Sequence, residues 1–377
     1  MNVQIVGNAC VGCQACYNGC PHEAIRMEQD EAGFMFPKID ADKCTDCSYC
    51  TKICPVATPQ EHENLKSAYY GWHKDERIRQ VSSSGGAFSA LAEEILKQNG
   101  VVFGAVFNAQ TKTLSHQCTE DYPLDRLLRS KYTESHTGLS FQKVKQYLRA
   151  GRPVLFCGTP CQAAGLRNYM GADHPHLYIC DFICGGAASP ECFRQHLDML
   201  EKKYGGAVDD INFRDKRYGW KRLCMTVKFK NGKEYHRLNY YDSYFTGFIN
   251  GALKREACYS CPFAVNHYAD LTIADFWGYK AAGLPYDKRG LSLINVHTPK
   301  GDQLLDAVRP RFELRRLDVR YAQYGYKPRR SSDEKVNARR RMFALVREKG
   351  FEAAAAETYM KNVTWKLVQD KLKIFKK

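Results

Sequence analysis

The chain has 377 residues, 44% of them hydrophobic and 26% charged, with 17 cysteines and a formal charge of +15. That length is too great for a small electron carrier alone and fits a small module joined to one large domain or two medium ones. No apolar run approaches the ~18–20 residues of a membrane span, and an odd cysteine count fits a reducing cytoplasm better than a disulfide scaffold. The charge is uneven. Residues 1–60 hold four Lys/Arg against seven Asp/Glu, whereas residues 321–377 hold fifteen against six. The basic end reads as a solvated tail, the sharper alternative being a docking surface for an acidic redox partner or an anionic surface. No recognition motif accompanies it, so no nucleic acid is expected.

Met1 leads into VQIVG, which reads as a short strand. Two identical cysteine frames follow: Cys10, Cys13, Cys16 and Cys20 before Pro21, then Cys44, Cys47, Cys50 and Cys54 before Pro55. Each is C-x2-C-x2-C-x3-C-P, the run of a two-cluster bacterial ferredoxin, in which the fourth cysteine ligates the other cluster. One 4Fe–4S cluster is therefore expected on Cys10, Cys13, Cys16 and Cys54, and the other on Cys44, Cys47, Cys50 and Cys20. Disulfides and paired zinc knuckles are the competing readings. The first is disfavoured because no targeting segment precedes the cysteines, the second because zinc sites seldom repeat this frame. Residues 1–57 form this module, and Thr58–Lys66 reads as a linker.

A mixed α/β region follows. Gly71–Ser84 ends in a Ser-rich turn before Gly85-Gly86. Phe88, Leu91, Ala92, Ile95 and Leu96 then recur at helical spacing, and Asn99-Gly100 stops the helix. Val101–Phe107 reads as a buried strand. Phe141, Val144 and Leu148 mark a helix closed by Gly151. Pro153–Cys157, a helix near Cys161–Met170, and Leu177–Ile183 form a βαβ unit with parallel strands. Ser189-Pro190 opens a helix as N-cap and first helical residue. Asn231-Gly232 joins Leu223–Phe229 to Glu234–Tyr240 as a hairpin. Leu271–Ala274 is a further strand, and residues beyond about 330 read as basic helices.

The carboxyl ends of parallel strands share one edge of a sheet, where open α/β folds bind ligands. Cys157 and Cys161 follow one such strand and Cys184 follows the other. Cys258-x2-Cys261-Pro262 is a further pair at cluster-like spacing. Cys161, Cys184, Cys258 and Cys261 are thus the preferred ligands of a third cluster, with buried apolar cysteines and a lone zinc-type pair as the alternative. Cys118, Cys192 and Cys224, placed on a loop, a helix and a strand, read as packing, as does Cys180; Cys157 is ambiguous. Ser84-Gly85-Gly86 ahead of a helix can offer backbone N–H groups to a phosphate.

Several segments in order resemble the beta subunits of coenzyme F420-dependent hydrogenases and dehydrogenases. They are SSGGAFSAL (83–91), SKY (130–132), GTPCQAAGL (158–166), DFICGGAASP (181–190), FRDKRYGW (213–220), and CYSCPF with ADLTIADFWG (258–278). With the ferredoxin frames the resemblance spans about residues 1–300. It implies an α/β fold: a dicluster ferredoxin domain (1–57), a flavin-binding domain with a mixed or parallel sheet (58–330, in parts 67–150 and 151–330), and a helical tail (331–377). It also implies noncovalent FAD near a third 4Fe–4S cluster. Candidate flavin contacts are Ser84, Gly85, Gly86, Ser130, Lys131, Tyr132, Gly158 and Thr159, with Trp220 and Trp277 as candidate stacking partners. One departure is visible, Gly185-Gly186 where a His-Gly pair is expected. It bears on the substrate more than on the flavin.

The function expected is a cytoplasmic oxidoreductase passing electrons between a small-molecule hydride donor or acceptor at FAD and one-electron iron–sulfur centres. Coenzyme F420 is a candidate substrate, a redox protein or ferredoxin-like acceptor the partner, and a homo-oligomer a candidate assembly. The rivals are an electron-transfer subunit with no substrate site of its own and an RNA-binding protein with structural clusters. The sequence names no general acid; His136, His174, His176 and His267 are the candidates, against the reading of a lone histidine as structural or exposed.

Overall fold

The computed structural model describes residues 2–61, 64–322 and 333–361. VQIVG is not a strand. Val3–Ala9 forms a 3-10 helix, with the Asn2 side chain accepting from the Gln4 amide at 3.1 Å and Gly7 kinking it at φ +51. Only Val3 in this helix is buried, so the apolar letters lack the one-sided burial that makes a strand. The cysteine frames flank a hairpin of β1 (Ile25–Gln29) and β2 (Met35–Ile39). The module's own core is small: Val3, Ile25 and the thiols Cys16 and Cys54.

The body is a nine-stranded mixed sheet. Its early strands are β3 (Ser67–His73), β4 (Val101–Asn108), β5 (Thr113–Cys118) and β6 (Ser135–His136). Then come β7 (Val154–Cys157) and β8 (Leu177–Phe182). A separate antiparallel sheet interrupts the order: β9 (Val208–Asn212), β10 (Cys224–Phe229) and β11 (Glu234–Leu238). The large sheet is completed by β12 (Leu271–Asp275), β13 (Ser292–Val296) and β14 (Phe312–Leu317), giving the order β14-β3-β13-β12-β8-β7-β4-β5-β6. At its centre β4, β7, β8 and β12 run parallel, so Cys157, Phe182 and Asp275 end on one edge.

Alternation along these strands separates two packed faces, as a two-residue period requires. Val102, Leu155 and Cys180 meet the helix Ala87–Lys97 through Leu91 and Ile95. Val101, Phe103, Phe156 and Ile179 meet the helices Ser140–Arg149 and Pro160–Met170, and on this side the ferredoxin residues Cys13 and Ala15 join the core. Cys118 closes β5 rather than lying on a loop, and like Cys180, Cys192 and Cys224 it is fully buried. Helix ends follow their local chemistry. Ser189 caps Pro190–Tyr204 by accepting from the Cys192 amide, and Gly205 ends it at φ +70, a conformation open to glycine.

The expected solvated tail is corrected in its described part. Asp333–Lys349 and Phe351–Glu357 are helices whose Met342, Phe343, Val346 and Phe351 enter the core that holds Phe193, Phe245 and the ferredoxin residue Phe34. The basic residues ride on a buried apolar stripe, which the charge count hides. Residues 362–377 lie outside the described part.

Candidate functional site

The two cysteine frames fold alike. Gly12 and Asp46 sit at φ +70 and +55, and Gln14 and Ser48 at +62 and +60. Left-handed residues at matching places turn successive N–H groups inward, the concavity that favours an anionic group. Short helices, Ala15–Gly19 and Tyr49–Lys52, follow each.

The structure gathers the cysteines in the crossed pattern. Burial first, then the neighbouring Cys54 and Cys10, pushes the Cys13 thiol well up. Cys16 is pushed up by burial and by Cys13, Cys10 and Cys54. The second cage is lined by Cys20, Cys44, Cys47 and Cys50, and Cys20 Sγ accepts from the Ala24 amide at 3.3 Å. Thiolates held this close repel one another unless a cationic centre compensates them, so this donor set fits a cluster. Among the described residues no group of three metal-binding side chains is set to hold a single metal ion. The crossing gives a clean expectation. Cys20→Ala should damage the paramagnetic signal of the cluster at Cys44, Cys47 and Cys50 and spare the one at its own run; the reverse loss would overturn the assignment.

The third set also assembles. Cys161 lies in the first turn of Pro160–Met170, Cys184 just past β8, and Cys258 and Cys261 on and after a 3-10 turn, Glu256–Ser260. All four line one cleft. Cys161 is pushed up by burial and then by Cys261, Cys184 and the ferredoxin Cys13. Cys258 is pushed up to about 11 by burial and Cys184. The Gly186 amide donates to Cys184 Sγ at 3.3 Å and the Ala187 amide to Cys258 Sγ at 3.4 Å. Gly185 is accounted for by packing, since a Cβ there would stand 3.0 Å from the Phe248 ring. A histidine could not enter without moving that ring.

The cleft, of about 520 Å³, opens at the carboxyl edge of the parallel strands and falls within the ~300–1,000 Å³ of small-molecule sites. Ser84, Gly86, Ser130, Lys131, Tyr132, Gly158 and Thr159 line it. Gly86 starts the helix Ala87–Lys97 at φ +92 with no side-chain cap, leaving the first-turn N–H groups for an anion. Ser83 Oγ accepts from the Ser130 amide at 2.7 Å, joining the Ser-rich turn to the SKY segment. Gly85 is not part of the lining. Its amide donates to Ser292 Oγ, and a Cβ would lie 2.4 Å from the Gly71 carbonyl oxygen. That glycine serves strand packing, not approach to a ligand. Thr159 caps the helix that carries Cys161 through a capping box with Gln162.

Lys131 donates to the carbonyl of Leu128 at 2.6 Å, and burial, aided by the charge of Arg129, lowers its pKa to about 7. The sequence missed His116. It lines the cleft, stacks on Phe156, donates to or accepts from Ser135 Oγ at 3.0 Å, and meets the Cys157 carbonyl at 3.1 Å. Burial lowers its pKa to about 4, so it is neutral at pH 7, with Nε2–H on the carbonyl. None of His136, His174, His176 and His267 lines the cleft; His267 is buried against Asp181.

The sequence also missed the brace behind the turn. Arg214 forms a two-pronged pair with Asp275 at 2.6 and 2.8 Å, and reaches Tyr132 Oη at 3.2 Å and the Ser83 carbonyl at 3.3 Å. Burial works against the Arg214 charge, but Asp275 holds it protonated. Breaking a buried pair of this kind costs about 3–5 kcal/mol. Lys216 ties the carbonyls of Arg79 and Ser84. Trp220 is buried, donates to Asp275 and stacks on Trp277 at 4.7 Å, so of the two only Trp277 faces the cleft. Opposite charges inside FRDKRYGW and ADFWG were the signal available in the sequence.

A repeated thiolate cage on a mixed α/β body with a cleft beside further cysteines defines an iron–sulfur protein of oxidoreductase type. Residues 9–58 match a 4Fe-4S dicluster domain. Residues 68–119 match "Coenzyme F420 hydrogenase/dehydrogenase, beta subunit N-term", and residues 151–319 match the corresponding C terminus. The chain belongs to the coenzyme F420 hydrogenase/dehydrogenase beta subunit family. Its curated relatives match over short stretches. A polyferredoxin-like protein of Methanocaldococcus jannaschii is 37% identical over 60 residues, 14% of this chain and 36% of its own length. A ferredoxin-like protein of the nif region of Azotobacter vinelandii is 44% identical over 62 residues, 15% of this chain and 61% of its own. Ferredoxin YfhL of Escherichia coli is 34% identical over 58 residues, 14% and 62%. The chain thus spans less than two thirds of the length of each. A solved chain of the F420-reducing NiFe hydrogenase complex from Methanosarcina barkeri aligns over 77% of this chain and 94% of its own, at TM-score 0.46 and 15% identity. Among the described residues no helix is long and apolar enough to cross a membrane.

Proposed function

We propose that the chain is an iron–sulfur flavoprotein that exchanges electrons between a hydride donor or acceptor at FAD in the cleft and three 4Fe–4S clusters, the last facing a protein partner. The observation that carries this reading is adjacency. The third cysteine set shares a wall with the cleft, and the helix that carries Cys161 packs on the first ferredoxin cage, where a Cβ at Gly165 would lie 3.0 Å from Cys13 Sγ.

The residues present fit FAD. Ser83, Ser84, Gly86 and the uncapped helix start would hold its phosphates, with Lys131 as a counter-charge and Tyr132, Gly158 and Thr159 along the remaining wall. When bound, FAD supplies the change from two-electron to one-electron chemistry. Around it the chain's own groups set the conditions. Lys131 Nζ, whose pKa burial lowers to about 7, can hold or release a proton at the cleft wall. His116 keeps its proton on the Cys157 carbonyl and so positions the strand end rather than acting as an acid. Arg214 and Asp275 fix the Ser-rich turn. In the ferredoxin module Cys47 is exposed while Cys13, Cys16 and Cys54 are buried, which makes the second cage the face toward an acceptor.

The test is anaerobic purification with flavin analysis, followed by mixing with reduced coenzyme F420, and with NADH as control. Bleaching of a released-as-FAD absorption band by one of these donors is the expected result. Flavin present but bleached by neither would favour an electron-transfer subunit whose substrate site is on another chain; no flavin at all would defeat the reading.

A further inference from the structure

Two independent contacts join the third cysteine set to the first ferredoxin cage. The first is steric. Cys161 and Gly165 stand four residues apart on one face of their helix, and a Cβ at Gly165 would lie 3.0 Å from Cys13 Sγ. The second is a buried ion pair. Arg255 is 1% exposed and Glu134 6%. The guanidinium donates to the Cys10 carbonyl at 2.6 Å, to Glu134 Oε2 at 2.8 Å and to the Met35 carbonyl at 2.7 Å. It lies 4.1 Å from the centre of the Phe36 ring. Glu134 Oε1 accepts from the Met35 amide at 3.0 Å.

The backbone of the same arginine belongs to the other site. Its amide donates to the Ala187 carbonyl at 2.9 Å, its carbonyl accepts from the Cys258 amide at 3.0 Å, and Ala187 in turn donates to Cys258 Sγ. Arg255 therefore starts three residues before one thiolate cage and ends on the ligand loop of another. Gly12 is part of the fit, since a Cβ there would stand 3.0 Å from the guanidinium.

We propose that Arg255 and Glu134 form the positioning and charge-setting element of an electron junction between the first and third clusters, tuning those two potentials and leaving the second cluster untouched. This rests on the three-cluster reading above. A single electron passes between the two cages and no bond forms or breaks. A nearby cation favours the more negative, reduced cluster, and a nearby anion disfavours it, because cluster potentials respond to local charge. Arg255 acts on both cages and Glu134 restrains its effect. The second cage, lined by Cys20, Cys44, Cys47 and Cys50, includes neither residue.

The experiment is a redox titration of the anaerobically purified full chain, followed by paramagnetic resonance, with the second cluster identified by its loss in Cys20→Ala. Glu134→Gln should raise the first and third potentials, and Arg255→Met should lower them. At fixed poise each should change the reduced-to-oxidised ratio about tenfold, which is about 59 mV for one electron. Arg255→Lys, which keeps the charge, should restore potentials near the starting values. If Arg255→Met fails to hold its clusters, Glu134→Gln and Arg255→Lys decide the matter alone. Equal shifts at all three clusters, or no shift in Glu134→Gln at full iron content, would overturn the proposal. An iron content of about eight per chain would instead remove the third cluster, and with it both this inference and the reading on which it rests.

Discussion

Exchanging Cys258 and Cys261 together for serine is expected to lower the iron of the anaerobically purified chain from about twelve atoms to about eight, the four irons of one cubane. Cys258 lies within one 3-10 turn and Cys261 closes it, and both line the cleft with Cys161 and Cys184. Losing two of four thiolates leaves a half-cage that cannot hold a cluster. The ferredoxin cages should keep theirs, because neither draws a ligand from this segment. Their paramagnetic signals serve as the internal standard. Iron unchanged in the double variant would remove this ligand set while leaving the ferredoxin assignment intact.

Exchanging Cys44 and Cys47 for serine should separate the reaction into two halves. The hydride donor should still bleach the flavin, because the cleft and the third cysteine set are untouched. Delivery to a one-electron acceptor protein should lose most of its rate, because the variant removes the centre beside the exposed Cys47. A rapid-mixing experiment following the flavin band and the acceptor in parallel reads both halves. Equal delivery by variant and parent chain would show that the second cluster is not the exit. Point variants are the right instrument, since deleting residues 1–57 would strip Phe34 and Ala32 from a core shared with the rest of the chain.

What the sequence made legible is what depends on local spacing. The cysteine frames, the βαβ unit around Gly158, the hairpin at Asn231-Gly232 and the capped helix after Ser189 all lie within short windows. In the third cysteine set Cys161 and Cys184 were reachable because parallel strands deliver their ends to one edge, a rule of topology that needs no contacts, and Cys258 and Cys261 through their spacing. What stayed hidden depends on partners far apart in the chain. Arg214 and Asp275 are 61 residues apart, and Arg255 and Glu134 are 121 apart. A charged residue destined for burial looks like any surface charge until its counter-ion is known. Gly85 and Gly86 looked equivalent as letters, yet one is pressed against a strand and the other opens a helix at the cleft. The basic end misled because its net charge drowned an apolar stripe at Met342, Phe343 and Val346.

The shared core also orders events in the life of the chain. Phe34 is wholly buried beside a cluster of side chains that includes Phe343 and Phe351, and Glu31 pairs with Arg347 at 2.8 Å. Synthesis proceeds from the amino end, so the hairpin between the two cysteine frames packs against residues made later, Arg347 lying 316 positions after Glu31. Both cysteine frames are thus complete in the growing chain long before the hairpin between them meets its packing partners.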